Sequence, residues 1–381
     1  MKIALIAGET SGDQLGGWLI EALKKKDPTL NMVGLGGPRM QAQGLKSLFP
    51  MEDIALMGIT EVLPHYRAVK RRIRQMVAYI EAEKPDILVT IDSRGFTYRV
   101  VALLKKRGIH RPCFYHYVAP SVWVYRPKRI YTAAALFDGL FCLLPFEPKY
   151  FEPVGLPAHF IGHEIAWYWR DKGNGITFRA RHGIKPETPL LALFPGSRRA
   201  ELKRMLPLFR DTIQKLSIEV PNLELLVMIP DYLRGRLSDE LAGWPLKAHL
   251  VSNSEDKKDF FAAATAGLAK SGTIALECAL AGLPSVTTYK ANPLSVAIFR
   301  RIVKIKWFNL ANILANRMII PELMQDDATP ETLSAALLPL LTDETARTAQ
   351  RTELENIAAL LGANDAQSPS DKAAGIILDR R

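Results

Sequence analysis

The stretch Ala269–Pro284, AKSGTIALECALAGLP, decides the fold. A short apolar run ends at Ala269, Ser271-Gly272-Thr273 breaks the strand pattern, and Ile274, Leu276, Ala279 and Leu280 then follow a helical repeat. Gly282 is the stop signal. A strand, a small polar loop and a helix start leave backbone N–H groups without intrahelical acceptors, and such groups bind phosphate oxygens. Glu277 lies one turn into the helix, where a carboxylate can accept from two neighbouring hydroxyls of a ribose. The competing reading is an ordinary βα loop in which Thr273 is only an N-cap.

The same strand–loop–helix grammar recurs on both sides. Apolar runs at Lys2–Ala7, Met32–Leu35, Ile87–Ile91, Cys113–Val118, Gly139–Leu144 and His159–Ile161 alternate with helical stretches such as Tyr66–Ile80 and Tyr98–Lys106. After a lapse into Gly, Asn and charged residues, the alternation restarts at Leu190–Phe194 and continues through Leu223–Ile229, His249–Val251 and Ser285–Tyr289. Strands alternating with helices predict parallel sheets covered on both faces. The expected organisation is two Rossmann-like domains, 1–165 and 189–330, a linker at 166–188, and an Ala- and Leu-rich helical tail at 331–381. Such sheets bind ligands at the carboxyl ends of their strands, so two of them predict a cleft with those ends facing each other.

Composition narrows the function. The 381 residues are 48% hydrophobic and 23% charged, which fits globular rather than disordered protein. A formal charge of +11 calls for an acidic partner such as nucleic acid, anionic lipid or a phosphorylated substrate. Cys113, Cys142 and Cys278 lie in separate apolar stretches and read as reduced core thiols. Glu9 and Asp13 follow the first apolar run too closely for a secretory signal, and no window reaches the ~18 apolar residues of a membrane span, so a cytoplasmic protein is expected.

Several loops carry candidate chemistry. Pro195-Gly-Ser-Arg198 also joins a strand to a helix and adds a guanidinium suited to a diphosphate; the alternative is a tight turn with a solvated arginine. Gly8-Glu-Thr-Ser-Gly-Asp13 holds two carboxylates, so it suits sugar hydroxyls better than phosphate. Asp92 ends the strand Ile87–Ile91 and is a candidate general base, with an N-cap or turn former as the alternative. His116, between Tyr115 and Tyr117, reads on its own as a packed histidine with one hydrogen bond. The seven histidines are scattered and no D-x-D occurs, so neither a metal nor a cofactor is expected, and cationic side chains and helix ends must stabilise a leaving diphosphate.

Two acid-free regions concentrate the positive charge. Between Glu61 and Glu81, Arg67, Lys70, Arg71, Arg72 and Arg74 share a helical repeat with Tyr66, Val69, Ile73, Met76, Val77 and Ile80. Between Glu277 and Glu322, the run SVAIFRRIVKIKWF mixes Arg300, Arg301, Lys304 and Lys306 with apolar residues. A basic amphipathic helix predicts contact with an anionic membrane surface, here through Val62, Leu63, Arg67, Lys70, Arg71 and Arg74. The alternative is an apolar stripe packed on the sheet under a solvated basic face. No zinc-finger, RRM or helix-turn-helix signature supports a nucleic-acid partner.

Taken in order, AGETSGD (7–13), GGPRMQAQG (36–44), MGITEVL (57–63), YVAPSVWVYRPKR (117–129), LPFE (144–147), FIGHE (160–164), LFPGSR (193–198), SGTIALE (271–277) and PELMQ (321–325) resemble the bacterial lipid-A-disaccharide synthases. These are inverting glycosyltransferases of GT-B type. The resemblance implies transfer of a sugar from UDP-2,3-diacylglucosamine to the 6-hydroxyl of 2,3-diacylglucosamine 1-phosphate. The products are a β-1,6 disaccharide 1-phosphate and UDP. It makes Asp92 the base, gives the diphosphate to Arg198, Ser271, Gly272 and Thr273 and the ribose to Glu277, and places Asn312 and Gln325 near the donor. Glu9, Ser11, Asp13 and His116 fall on the acceptor side, and the tail returns to the first domain. A peripheral location on the cytoplasmic face of the inner membrane follows, with a homodimer left open. Where the family usually shows Asp-Ser/Ala-Pro-Asp-Phe-Asn, this chain reads Asp92-Ser-Arg-Gly-Phe-Thr97. That departure keeps two other readings alongside, a paralogue acting on another acylated sugar and a non-catalytic nucleotide-sugar or lipid binder; the fold also admits a UDP-N-acetylglucosamine epimerase.

Overall fold

Thirteen strands, all paired in parallel, form two sheets, described by a computed structural model that covers residues 1–55, 62–196, 198–229, 231–252, 257–292 and 305–379. The chain divides into two compact units, one of residues 1–164 with 365–381 and one of residues 165–364.

The first sheet comprises β1 (Lys2–Ala7), β2 (Asn31–Leu35), β3 (Lys46–Ser47), β4 (Ile87–Ile91), β5 (Cys113–Tyr117), β6 (Gly139–Cys142) and β7 (Ala158–Phe160). Their spatial order is β3-β2-β1-β4-β5-β6-β7. Strand β1 is apolar throughout its buried length because both its faces are covered, as parallel sheets require. One face packs under the helices Val62–Glu83 and Arg94–Lys106 through residues such as Val77, Ile80, Val100 and Leu104. The other packs under Thr10–Lys26 and Pro369–Leu378 through Leu19, Leu23, Ala373 and Ile377.

The second sheet comprises β8 (Leu190–Phe194), β9 (Glu224–Ile229), β10 (Ala248–Ser252), β11 (Ala266–Lys270), β12 (Ser285–Tyr289) and β13 (Glu322–Met324), in the order β10-β9-β8-β11-β12-β13. Its core joins the helix Arg199–Glu219 to the helix Pro330–Thr342 through Met205, Phe209, Leu333 and Leu337.

Three features differ from the sequence expectation. Residues 166–188 are not a bare linker: they carry Glu164–Tyr168 and Gly175–Arg181, and Trp169 and Phe178 are buried against Phe261 and Phe260 in the second unit. The tail divides. Its helices Pro330–Thr342 and Glu344–Leu360 stay with the second unit, where buried Gln350 accepts from the Ser285 amide at 2.6 Å. Only Pro369–Leu378 joins the first unit, where Ser370 donates to the buried Glu164 carboxylate.

The third difference concerns the basic helix. Val69, Ile73, Met76, Val77 and Ile80 are buried in the first core, so this apolar stripe is not free to enter a bilayer. Arg67, Lys70, Arg71 and Arg74 are exposed, whereas Arg72 pairs with Asp53 and lies 4.5 Å over the Phe49 ring. The side chains of Val62 and Leu63 lie outside the described residues, as do Arg300, Arg301 and Lys304 of the second basic run. Among the described residues, no helix is long and apolar enough to cross a membrane.

Candidate active site

Both sheets reverse their strand order once, and ligand loops in open α/β folds lie at such switch points. In the first sheet the reversal falls between β1 and β4, which pair with Ala7 opposite Ile91. The next residues, Gly8-Glu9 and Asp92-Ser93, therefore leave the sheet side by side. Gly8 permits this approach, because a Cβ there would meet Ser93 Oγ at 2.3 Å and Ser93 Cβ at 2.7 Å.

Asp92 and Ser93 both hold left-handed backbone conformations, with φ of 46° and 43°. Non-glycine residues in sparsely populated backbone regions cost about 1–3 kcal/mol each and cluster at functional sites. The turn is held from several sides: the Asp92 amide donates to Tyr117 O at 3.0 Å, and Thr97 Oγ1 donates to Asp92 O at 2.9 Å and to Ser93 O at 3.2 Å. Ser93, not Asp92, is the N-cap of Arg94–Lys106, and neither side chain caps it. Among the described residues no donor reaches the Asp92 carboxylate, which is half-buried at the strand end. Glu9 sits beside it, and burial and then the Asp92 charge raise its carboxyl above the usual range. Ser11 is exposed one turn along, in the first turn of Thr10–Lys26.

Two residues expected on the acceptor side have other duties. Asp13 is 1% exposed and accepts from the amides of Gly37 (2.8 Å), Arg39 (2.9 Å) and Met40 (3.0 Å). It thereby caps the short helix Pro38–Ala42, so AGETSGD and GGPRM form one structural device. His116 is fully buried, stacked on Phe137 at 4.9 Å, with Nδ1 2.8 Å from Thr90 Oγ1. Burial, then the Arg94 charge, lower its pKa to about 3, so it is a neutral core imidazole as the lone-histidine reading expects.

Glu147 of LPFE is a buried group the sequence did not single out. Its carboxylate accepts from Trp123 Nε1 at 3.3 Å and the Leu144 amide at 3.1 Å, tying the YVAPSVWVYRPKR loop to the end of β6. Burial pushes its carboxyl up to about 7. At pH below 4.5 folded and unfolded chains both carry the proton and no cost arises; above about 7 the folded carboxylate is charged in apolar surroundings. Stability should therefore fall across that window, by roughly 3 kcal/mol as an upper bound. Unfolding followed against pH should show a shallower fall in Glu147→Gln. Identical profiles would place the pH dependence elsewhere.

In the second sheet the reversal falls between β8 and β11, and the loops that follow these strands are PGSR and SGT. They line one cavity of about 350 Å³ with Gly196, Arg198, Glu201, Lys270, Gly272 and Thr273 on its wall. Gly196, at φ +105°, makes the turn that brings the first loop round. Ser197 lies outside the described residues. The N-cap of Thr273–Ala281 is Gly272 at φ +150°, so Thr273 is the first helical residue rather than a cap. Gly282, left-handed at φ +74°, ends the helix as its position predicts. The Ser271 amide is spent on Thr288 O at 2.8 Å, leaving the first-turn amides of the helix as the available donors.

Charge in this cavity is arranged around a carboxylate that the sequence reading passed over. Glu201, 12% exposed, accepts from Lys270 at 3.1 Å and lies 3.8 Å from Arg198, which is itself 84% exposed. Two cations that share one carboxylate can exchange it for a stronger anion. Glu277 has a partner of its own, Lys257 at 2.6 Å. Asn312 is buried and fully used: its amide donates to Ile320 O and Glu322, and its oxygen accepts from the Ile319 and Ile320 amides. All four hydrogen-bonding positions of the side chain are filled, so it staples its own loop rather than reaching a ligand. Gln325 is left-handed (φ 54°) and accepts from the Ala291 amide at 3.2 Å. No group of three metal-ligating side chains occurs among the described residues.

Known proteins resemble this chain in sequence and in fold. A model of the family described as lipid-A-disaccharide synthetase matches residues 3–376. The lipid-A-disaccharide synthase of Rhodospirillum centenum is 43% identical over 380 residues, spanning 100% of this chain and 94% of that one. That of Pseudomonas fluorescens is 40% identical over 342 residues, spanning 90% and 89%. Among solved structures, MurG of Acinetobacter baumannii aligns with a TM-score of 0.58 at 14% identity, over 100% of this chain and 99% of that chain. UDP-GlcNAc 2-epimerase of Neisseria meningitidis, bound to UDP-GlcNAc, gives 0.63 at 12% identity, over 100% and 99%. At those identities the structures speak for the fold alone, two parallel-sheet units of GT-B type. The sequence matches speak for more: the chain belongs to the lipid-A-disaccharide synthase family of glycosyltransferases.

Proposed function

We propose that the protein transfers 2,3-diacylglucosamine from its UDP derivative to the 6-hydroxyl of 2,3-diacylglucosamine 1-phosphate. The observation that carries this is the half-buried Asp92 carboxylate, which no donor reaches among the described residues, held in a strained turn at the switch point of one sheet. A cationic cavity lies at the switch point of the other sheet.

The acceptor hydroxyl oxygen attacks the anomeric carbon from the face opposite the leaving group while Asp92 takes its proton. The bond from the anomeric carbon to the diphosphate oxygen breaks, and the electron pair leaves with UDP. The configuration inverts and no covalent enzyme intermediate forms. General-base assistance of this kind is commonly worth about 10²–10⁴ in rate. Arg198, with Lys270 beside it and the first-turn amides of Thr273–Ala281, offsets the charge that develops on the diphosphate. Glu277 holds the ribose. A nucleotide-sugar donor also fits the fold likeness to an epimerase solved with UDP-GlcNAc.

Acylated against unacylated UDP-glucosamine separates this reading from epimerase chemistry: the proposal expects disaccharide from the acylated donor alone. Epimerised unacylated sugar would refute it.

Both substrates are lipids, and the exposed cations Arg67, Lys70, Arg71 and Arg74 suit an anionic membrane surface by charge alone. At about 1 kcal/mol per basic residue near such a surface, four give at most ~4 kcal/mol. Co-sedimentation with anionic vesicles should fall as salt rises and weaken when these four are made Gln. Binding that is insensitive to both would remove the helix from the membrane role.

A further inference from the structure

We propose that Arg94 and Arg129, joined through Tyr125, hold the phosphate monoester of the acceptor sugar beside Asp92. The inference rests on the transfer reaction proposed above and names which residues read the acceptor's anionic end.

The first observation is an imbalance of charge. Residues 93–137 contain nine Lys and Arg and no Asp or Glu. Some are neutralised by other segments, as Arg107 is by Glu81. Arg94 and Arg129 have no carboxylate partner among the described residues, although Asp92 is two positions from Arg94. Instead they converge on one neutral ring: Arg94 Nη2 donates to Tyr125 Oη at 3.3 Å, and the Arg129 guanidinium lies 4.8 Å over the same ring.

The second observation is that the backbone adds to this charge. Arg94 opens the helix Arg94–Lys106 and Arg129 opens Arg129–Leu136, and neither helix has an acidic residue in its first turn. Helix N-termini carry partial positive charge and favour anions, so an arginine at the first position of each is the wrong sign for the free protein. Two like-charged side chains on two like-signed helix ends are a standing repulsion that an anion relieves.

Third, polar atoms are left waiting. Arg129 Nη1 and Tyr98 Oη are buried without a hydrogen-bond partner, and so is Nε2 of the fully buried His116, whose ring lies 4.9 Å from that of Tyr98. Buried polar atoms in native proteins are overwhelmingly paired, so these orphans, one on Arg129 itself and two on rings that feel the Arg94 charge, mark a place that a ligand or its hydration completes. A phosphate monoester fits best. It is dianionic, accepts from a planar guanidinium fork in two places, and is what distinguishes the proposed acceptor from a neutral glycolipid.

Direct binding of diacylglucosamine 1-phosphate and of its dephosphorylated counterpart, in the same detergent, tests the assignment. The wild type should prefer the phosphorylated lipid by at least about tenfold, and Arg94→Ala and Arg129→Ala should each remove most of that preference. Affinity for the dephosphorylated lipid should be unchanged. In turnover the same variants should raise KM for the phosphorylated acceptor about tenfold with kcat within about threefold, because the phosphate takes no part in making or breaking the glycosidic bond. Arg94→Lys, which keeps the charge but not the fork, should recover part of the loss. Variants that keep the wild-type preference would overturn the proposal. So would variants that lose only binding to anionic vesicles, since the cations would then serve a membrane. If the wild type binds with the stated preference but makes no disaccharide, the transfer reading fails and the phosphate site stands.

Discussion

Asp92→Asn is expected to lower turnover by about 10²–10⁴-fold while leaving UDP affinity essentially unchanged. The substitution is chosen for what it preserves. Asparagine has the same shape and, with aspartate, is among the residues that best tolerate the left-handed backbone found here at φ 46°. The clamps on the turn are also spared, since Tyr117 O and Thr97 Oγ1 engage the Asp92 main chain rather than its carboxylate. What is lost is the ability to take a proton. Turnover within a few-fold of wild type would remove Asp92 from the mechanism, because no folding defect could then be blamed for masking its role.

The second large effect is expected at the other switch point. Arg198→Ala should weaken UDP binding by about 10–150-fold, the loss of a charge-assisted hydrogen bond worth about 1.5–3 kcal/mol. Stability should barely change. Arg198 is 84% exposed, and its nearest carboxylate, Glu201, is 3.8 Å away and already serves Lys270. Surface substitutions of that kind usually move stability by less than about 0.5 kcal/mol. Isothermal titration with UDP separates the two: unchanged affinity would sink the donor assignment of PGSR. The Glu201 arrangement adds a refinement, since this carboxylate competes with a diphosphate for both cations.

The sequence made the parallel α/β organisation legible because buried parallel strands leave short runs of apolar and β-branched residues between loop signals. Lys2–Ala7, Ile87–Ile91, Leu190–Phe194 and Ser285–Tyr289 match in both bounds. It missed β3 and β13, which are two and three residues long and too short to show any period. The candidate loops were legible for a related reason. A polar break directly after an apolar strand and before a helix is local information, and it located Asp92, PGSR and SGT.

What sequence could not supply was who bonds to whom at long range. The Asp13 carboxylate reads as a ligand group until the amides of residues 37–40 are seen to close on it. Asn312 reads as a donor contact until Ile319, Ile320 and Glu322 fill its amide. The basic helix misled in a different way. An amphipathic stripe looks the same whether it faces lipid or a sheet, and only the buried Val69, Ile73 and Val77 decide between them. Within Asp92-Ser-Arg-Gly-Phe-Thr97 the structure supplies a local reason for one residue: Thr97 ties down the Asp92–Ser93 turn through two carbonyls. At Gly95 no atom would approach an added Cβ, so the space around it does not explain the glycine.

One measurement tests the central claim most directly: purified protein incubated with UDP-2,3-diacylglucosamine and 2,3-diacylglucosamine 1-phosphate, with products resolved by mass and linkage. One equivalent of UDP is expected for each β-1,6-linked disaccharide 1-phosphate, with loss of both products together in Asp92→Asn. UDP release without disaccharide, or no reaction under conditions where both lipids bind, would contradict it.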